Sequence, residues 1–322
     1  MSTELYFLGA GTPASGKKPA ALKRIVNNTK VIDWQLLSFD DVVQTQQPHF
    51  LGGYHIDEVI KAYPHLNFTI VANWEASNAL NTFFQAPFTG GPVVITYSDT
   101  LFRKKFVNEF VALNSDVTIV IDSGWRQRYT GRAQSDIQNA ELITIDGLDA
   151  EFTGLVHLSS KAVTYIQDIK ESGRQKEIGN TLLDLITTLE KSELSLTYVD
   201  VYGDWAELNS PADIAHFILG SKADTLARLE NVVKKSSIGK QISFTALDWQ
   251  EDENFVIERV QKLFSDSRLV VRSSSLSEDN WHFSNAGRFE SVLDVPCMNN
   301  SELKKAIQDV FSSYGSNPDN SE

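Results

Sequence analysis

The chain has one cysteine, Cys297, and two methionines among 322 residues. A single thiol excludes a disulfide framework and any cysteine-rich metal site, and it suits a reducing, cytoplasmic setting. No apolar run reaches membrane-spanning length, and the N-terminus has no charged-then-apolar signal, so no membrane association is expected. Positive charge is also short. Against 42 Asp and Glu stand 29 Lys and Arg, a formal net charge of −13 that disfavours non-specific nucleic-acid binding. What remains is ordinary globular composition, 42% hydrophobic and 10% aromatic, enough for one large domain or two medium ones. The scarce positive charge is also concentrated. Residues 1–30 hold Lys17, Lys18, Lys23, Arg24 and Lys30 but one acid, Glu4. A basic spot on an acidic chain points to a small anionic ligand.

Strands and helices alternate along the first two thirds. "LYFLGAG" reads as a strand breaking into a glycine loop. "NFTIVAN", "PVVITYSD" and "VTIVID" read as further apolar strands, and "IDEVIKAY" and "FRKKFVNEFVAL" as helices between them. Buried strands separated by helices predict an α/β fold with a mostly parallel, Rossmann-like sheet covered on both faces. "GNTLLDLITTLEKSE" carries helical spacing, "LSLTYVDVYG" follows as a strand, and Ser210 and Pro211 suit an N-cap and first helical position. Near residue 218 the pattern changes to helices and one hairpin, which predicts domains over 1–217 and 218–322.

The stretch "FLGAGTPASGKKPAAL" is the first candidate site. Gly9-Ala10-Gly11 at a strand end exposes backbone N–H groups that can cradle phosphate, and Lys17 and Lys18 can neutralise its charge. A dinucleotide-binding oxidoreductase domain competes, since Gly9, Gly11 and Ala14 fit a relaxed fingerprint and Asp33 follows at a suitable distance. Pro13, Gly16 and the lysine pair make the loop too long for that tight turn, and Asp33 is better placed as the cap of helix "WQLLSF".

Four stretches carry a more specific resemblance: "LGAGTPASGKKPAAL", "VIDWQLLSF", "VANWEASNALNTFFQA" and "ITYSDTLF". In this order, followed by "FTGLVHLSSKAV" and "GDWAELNSPADIA", they resemble the sugar-nucleotide-type nucleotidyltransferases, in particular the small cytidylyltransferases that activate phosphocholine and related compounds. The resemblance implies a Mg²⁺-dependent transfer of CMP from CTP to a phosphorylated small molecule. It assigns Gly9, Ala10, Gly11, Asn73 and Asn78, with Asn81, to the nucleotide. It makes Asp99 a catalytic residue and metal ligand together with Glu207 and Asn209, and Lys17 and Lys18, just before Pro19, are expected to take the catalytic roles of the family's loop cations. The sequence departs from the pattern in three places. Pro13 and Ala20 stand where the family has an arginine and a lysine, and Asn209 stands where it has a second metal-binding aspartate. A catalytically weak nucleotide-binding or scaffolding module of a larger kinase is therefore the alternative.

The C-terminal region, "FILGSKADTLARLE", "KQISFTALDW" and "LVVRSSSLSEDNWHFSNAGRFESVLDV", resembles the start of the ATP-grasp unit of phosphoenolpyruvate synthase, pyruvate phosphate dikinase and the glutamine kinases. That resemblance implies a partial α+β ATP-binding segment in which Lys222, Arg272 and Gly287 face phosphate, Lys222 and Arg272 exposed and near one another. The family's acidic metal ligands and phosphohistidine domain have no counterpart before residue 322, and His282 does not match the phosphoacceptor. The expectation is a kinase region that is inert by itself, fused to a transferase that would use the kinase product.

Overall fold

In the computed structural model, described residues run from 3 to 315 apart from 14–16, 27, 44–45, 130–133, 209–213, 215–216, 219, 221, 231–232, 245, 266 and 275–289. Six residues, Glu4–Gly9, form strand β1, and its alternation organises the first unit. Leu5 and Phe7 point into one apolar layer, Tyr6 and Leu8 into the other, and all four are buried. A strand covered on both faces must be apolar throughout, which is why this run does not alternate with polar residues.

Further strands are β2 (Arg24–Val26), β3 (Thr29–Lys30), β4 (His49–Gly52), β5 (Asn67–Ile70), β6 (Val93–Tyr97), β7 (Thr100–Phe102) and β8 (Val117–Asp122). They are followed by β9 (Leu142–Ile145), β10 (Leu148–Leu158), β11 (Leu196–Asp200) and β12 (Trp205–Glu207). The central sheet runs in the order β11-β8-β10-β6-β1-β4-β5, with β9 paired to β10. Within that path only β10 is antiparallel to its neighbours, β6 and β8; the other pairings are parallel. The fold is thus α/β with a mostly parallel central sheet. Helices Val31–Ser38, Ile56–Ala62 and Lys104–Val111 cover one face through Ile32, Val59, Val107 and Phe110. Helices Ser160–Glu171 and Leu182–Glu190 cover the other through Val163, Ile166, Leu185 and Leu189. The parallel strands place the ends of β1, β4 and β6 at one edge, where ligands bind in open α/β sheets.

One local expectation needs correction, and one neighbouring feature bears on the site. Asp33 is not the N-cap of its helix: Lys30 holds that position, and Asp33, one turn in, accepts a hydrogen bond from the Lys30 N–H at 2.8 Å. Asp99 does not cap the helix that follows it, because β7 intervenes and Arg103 precedes the first helical residue.

By its internal packing the chain divides into Met1–Phe217 and Ile218–Glu322. The second unit has an antiparallel pair, β13 (Arg268–Arg272) and β14 (Ser291–Pro296), with helices Lys222–Leu229, Ala246–Glu251, Glu253–Phe264 and Asn300–Gly315. Its core is Trp249, Val256, Ile257, Val260, Val295, Leu303 and Ile307. This is an α+β arrangement. Among the described residues no helix is long and apolar enough to cross a membrane.

Candidate active site

Gly9 and Gly11 do different work. A Cβ on Gly9 would lie 2.5 Å from the Phe50 ring and 2.6 Å from Ser98 Oγ, so glycine is needed there for β4 and β6 to close over β1. Beyond it, the Ala10 carbonyl accepts from the Tyr54 N–H at 3.0 Å, and the Ser98 N–H donates to the Leu8 carbonyl at 3.0 Å. These contacts fix the start of the loop. Gly11 is exposed, with nothing near the place of its missing side chain, so its backbone remains approachable. The chain then returns through Lys17 and Lys18, both exposed, to a short 3₁₀ turn, Ala20–Leu22, behind Pro19. That turn delivers Lys23. Its ammonium donates to the Leu208 carbonyl at 2.9 Å, tying the glycine loop to the end of β12.

Asp99 lies two residues past β6, and its carbonyl accepts from the Leu208 N–H at 3.0 Å. The β7–β12 pair places Thr100 opposite Glu207, so the two carboxylates expected to hold metal reach the same ribbon end from distant parts of the chain. The ribbon is anchored from below. The Trp205 indole stacks on Phe102 and donates to the buried Asp122 carboxylate at 2.8 Å.

Burial pushes the Asp99 carboxyl up to about 7, and the charges of Glu207 and Glu141 add to the rise, while a backbone hydrogen bond and Lys23 oppose it. Glu141 is also raised by burial, although it accepts from the Tyr97 hydroxyl at 2.9 Å. Burial and mutual repulsion thus both disfavour the charged carboxylates at this edge, and Lys23 offsets only part of that at Asp99. Hard carboxylate oxygens with excess charge suit Mg²⁺, which usually takes one or two carboxylates and completes its shell with water and phosphate. Among the described residues no cluster of three or more His, Cys, Asp and Glu could hold a metal ion unaided.

A cavity of about 1110 Å³ opens beside these groups, lined by Lys17, Lys18, Lys23 and Asp99. Arg24, Lys30 and Lys61 line it as well. None of Lys17, Lys18, Arg24 or Lys61 makes an ion pair among the described residues. The structure thus brings together the lysine pair and Asp99, and adds three cations that local sequence reading left unassigned to a role. Arg24 and Lys30 had been visible in the basic spot; Lys61 had no local signal, because it enters from the last turn of a helix 31 residues further on.

The asparagines divide. Asn78 is the N-cap of helix Ala79–Phe83, accepting from the Asn81 N–H at 2.8 Å, so its side-chain oxygen has a structural partner. Asn73 is exposed in the left-handed region at φ 52°. Asn209 and Gly287 lie outside the described residues, as does the side chain of Lys222. In the second unit Arg272 is exposed at the end of β13. The Ala223 N–H donates to Ser274 Oγ at 3.0 Å, which brings the start of helix Lys222–Leu229 against the chain two residues past Arg272. The dinucleotide reading loses its acid: the Asp33 carboxylate is already engaged, accepting from the Tyr63 hydroxyl and, in the first turn of its helix, from the Lys30 N–H.

No family profile and no curated protein matches the chain. Among solved structures, the inositol-1-phosphate CTP transferase of T. maritima is similar with a TM-score of 0.49 at 16% identity, over 68% of this chain and 97% of that one. The CTP:phosphocholine cytidylyltransferase of Streptococcus pneumoniae is similar with a TM-score of 0.46 at 13% identity, over 73% and 100%. Both neighbours are nucleotidyltransferases by name. With TM-scores below 0.5, the reading of the site rests on its own residues.

Proposed function

We propose that residues 1–217 transfer a nucleotidyl group, CMP from CTP, to a phosphorylated small molecule. One observation carries this reading: Lys17, Lys18, Lys23 and Asp99 line a single large cavity at the end of β1 and β6. The reaction needs an anionic phosphate oxygen brought in line with an α-phosphate that is itself anionic, so charge must be absorbed before the two can meet. Asp99 and Glu207 would hold Mg²⁺, which when bound supplies positive charge to the α-phosphate. Lys17 and Lys18 would neutralise the triphosphate from the loop, and the exposed Gly11 backbone would approach it closely. Lys23, tethered to Leu208, would keep loop and carboxylates in register.

The test is calorimetry with CTP, ATP, GTP and UTP, with and without Mg²⁺, followed by pyrophosphate release in the presence of phosphocholine. Mg²⁺-dependent CTP binding with pyrophosphate release is expected. Charge-assisted contacts to phosphate contribute about 1.5–3 kcal/mol each, so Lys17→Ala with Lys18→Ala should weaken CTP roughly tenfold or more. Normal binding by the double variant would make the loop a structural turn. A second reading, a nucleotide-binding module without turnover, is favoured by Pro13, which lines the cavity with no charge. Its signature would be CTP binding without pyrophosphate release.

For residues 218–322 the reading is an ATP-binding region in which Lys222, Arg272 and Gly287 face phosphate. Support comes from the Ala223–Ser274 contact, which draws the two cation-bearing segments together. Arg272→Ala should weaken ATP binding by the chain, and an unchanged ATP affinity in calorimetry would contradict that.

A further inference from the structure

Arg24 on β2 and Lys30 on β3 stand directly opposite each other in an antiparallel pair. Like charges in that relation destabilise a ladder, and this ribbon is only two strands wide. Lys61 from helix Ile56–Ala62 lines the same cavity. Among the described residues none of the three cations forms an ion pair, although Glu58 and Asp99 line the same cavity. Asp33 is engaged by the Tyr63 hydroxyl and the Lys30 N–H. Glu58, which also lines the cavity, lies 3.7 Å from His55 Nδ1. The Lys30 ammonium sits over the Tyr63 ring, 4.9 Å from its centre, an arrangement that orders the side chain and leaves its N–H donors free for another partner.

We propose that Arg24, Lys30 and Lys61 form a diphosphate-binding site. Resting on the nucleotidyl-transfer reading, this site holds the β- and γ-phosphates of the triphosphate and then the pyrophosphate that leaves. In that step an acceptor phosphate oxygen forms a bond to the α-phosphorus. The bond from the α-phosphorus to the bridging oxygen breaks, and its electron pair departs on pyrophosphate. Three cations from three elements match the multiple negative charges of a diphosphate better than the charge of one phosphate. The repulsion between Arg24 and Lys30 is relieved when that anion is present.

The experiment is calorimetric titration of the full chain with inorganic pyrophosphate. Arg24→Gln with Lys61→Gln should weaken pyrophosphate at least tenfold, as expected for losing two charge-assisted contacts in a wet site. The charge-matched control Lys105→Gln with Lys176→Gln, at exposed positions outside the cavity lining, should retain wild-type affinity. Circular dichroism of both doubles checks folding, and Arg24→Lys, which keeps the charge, should recover part of the affinity. Absent pyrophosphate binding, an unchanged double variant, or an equal loss in the control would each overturn the proposal. CTP titrated in parallel reports on the broader reading. A wild type that binds pyrophosphate through Arg24 and Lys61 but binds no nucleotide would keep the diphosphate site and refute nucleotidyl transfer.

Discussion

Asp99→Asn should abolish Mg²⁺-dependent nucleotide binding and, at the same time, make the metal-free protein more stable at pH 8. Both effects come from one carboxyl. Its pKa is raised from 3.8 to about 7, first by burial and then by Glu207. Because the folded state keeps this proton to higher pH than the unfolded chain, the folded state binds more protons between about pH 4 and 7. Stability must then fall as pH rises through that window, and the whole penalty is present above it. Three pKa units would correspond to about 4 kcal/mol, but Asp99 borders an open cavity, so about 1–2 kcal/mol is the reasonable magnitude. Asparagine removes the charge at nearly the same volume. Thermal unfolding in chelator should show the variant gaining stability at pH 8 and little at pH 4, while Mg²⁺ and CTP should raise the midpoint of the wild type alone. A variant that still shows a Mg²⁺-dependent midpoint would move the metal away from Asp99. Equal stability at pH 8 would mean that water in the cavity solvates the carboxylate fully.

How much of this was legible depended on where the information lay. Strand β8 coincides with the run "VTIVID", and helix Lys104–Val111 falls within "FRKKFVNEFVAL", since continuous apolar burial and helical spacing are local signals. Strand β4, "HFLG", is only four residues long and ends in glycine, and carries too little pattern to stand out. The β9–β10 hairpin had a signal: Asp146 and Gly147, with φ of 51° and 83°, form the tight turn between the two strands that an Asp-Gly pair favours. The ribbon β7–β12 had none, because its two three-residue strands lie about a hundred residues apart and pair only through tertiary structure. The candidate site follows the same rule. The loop lysines and Asp99 could be placed from nearby motifs, while Lys61, Glu141 and the tether from Lys23 to Leu208 required the fold.

The largest purely structural effect should come from Gly154→Ala. Gly154 sits at φ 79° where the register of β10 slips between Phe152 and Val156, and an added Cβ would clash with one edge of the Tyr97 ring. Tyr97 is the residue whose hydroxyl holds Glu141, so the bulge is shaped around a ring that supports the acidic edge of the site. Two costs combine. An L side chain at positive φ costs about 1 kcal/mol, and displacing a packed ring costs about 1–3 kcal/mol more, so a loss of about 2–4 kcal/mol is expected. Gly147→Ala separates the two, since Gly147 shares the positive φ at 83° but has open space where its Cβ would go. Urea denaturation should therefore show a small loss for Gly147→Ala and a much larger one for Gly154→Ala. If the clash with Tyr97 is the cause, Tyr97→Leu should make the Gly154→Ala change cheaper when the two are combined, a coupling that a double-mutant cycle measures directly. Equal losses at Gly147 and Gly154, or additive effects of Gly154→Ala and Tyr97→Leu, would show that the ring swings aside freely and that the bulge is not built around it.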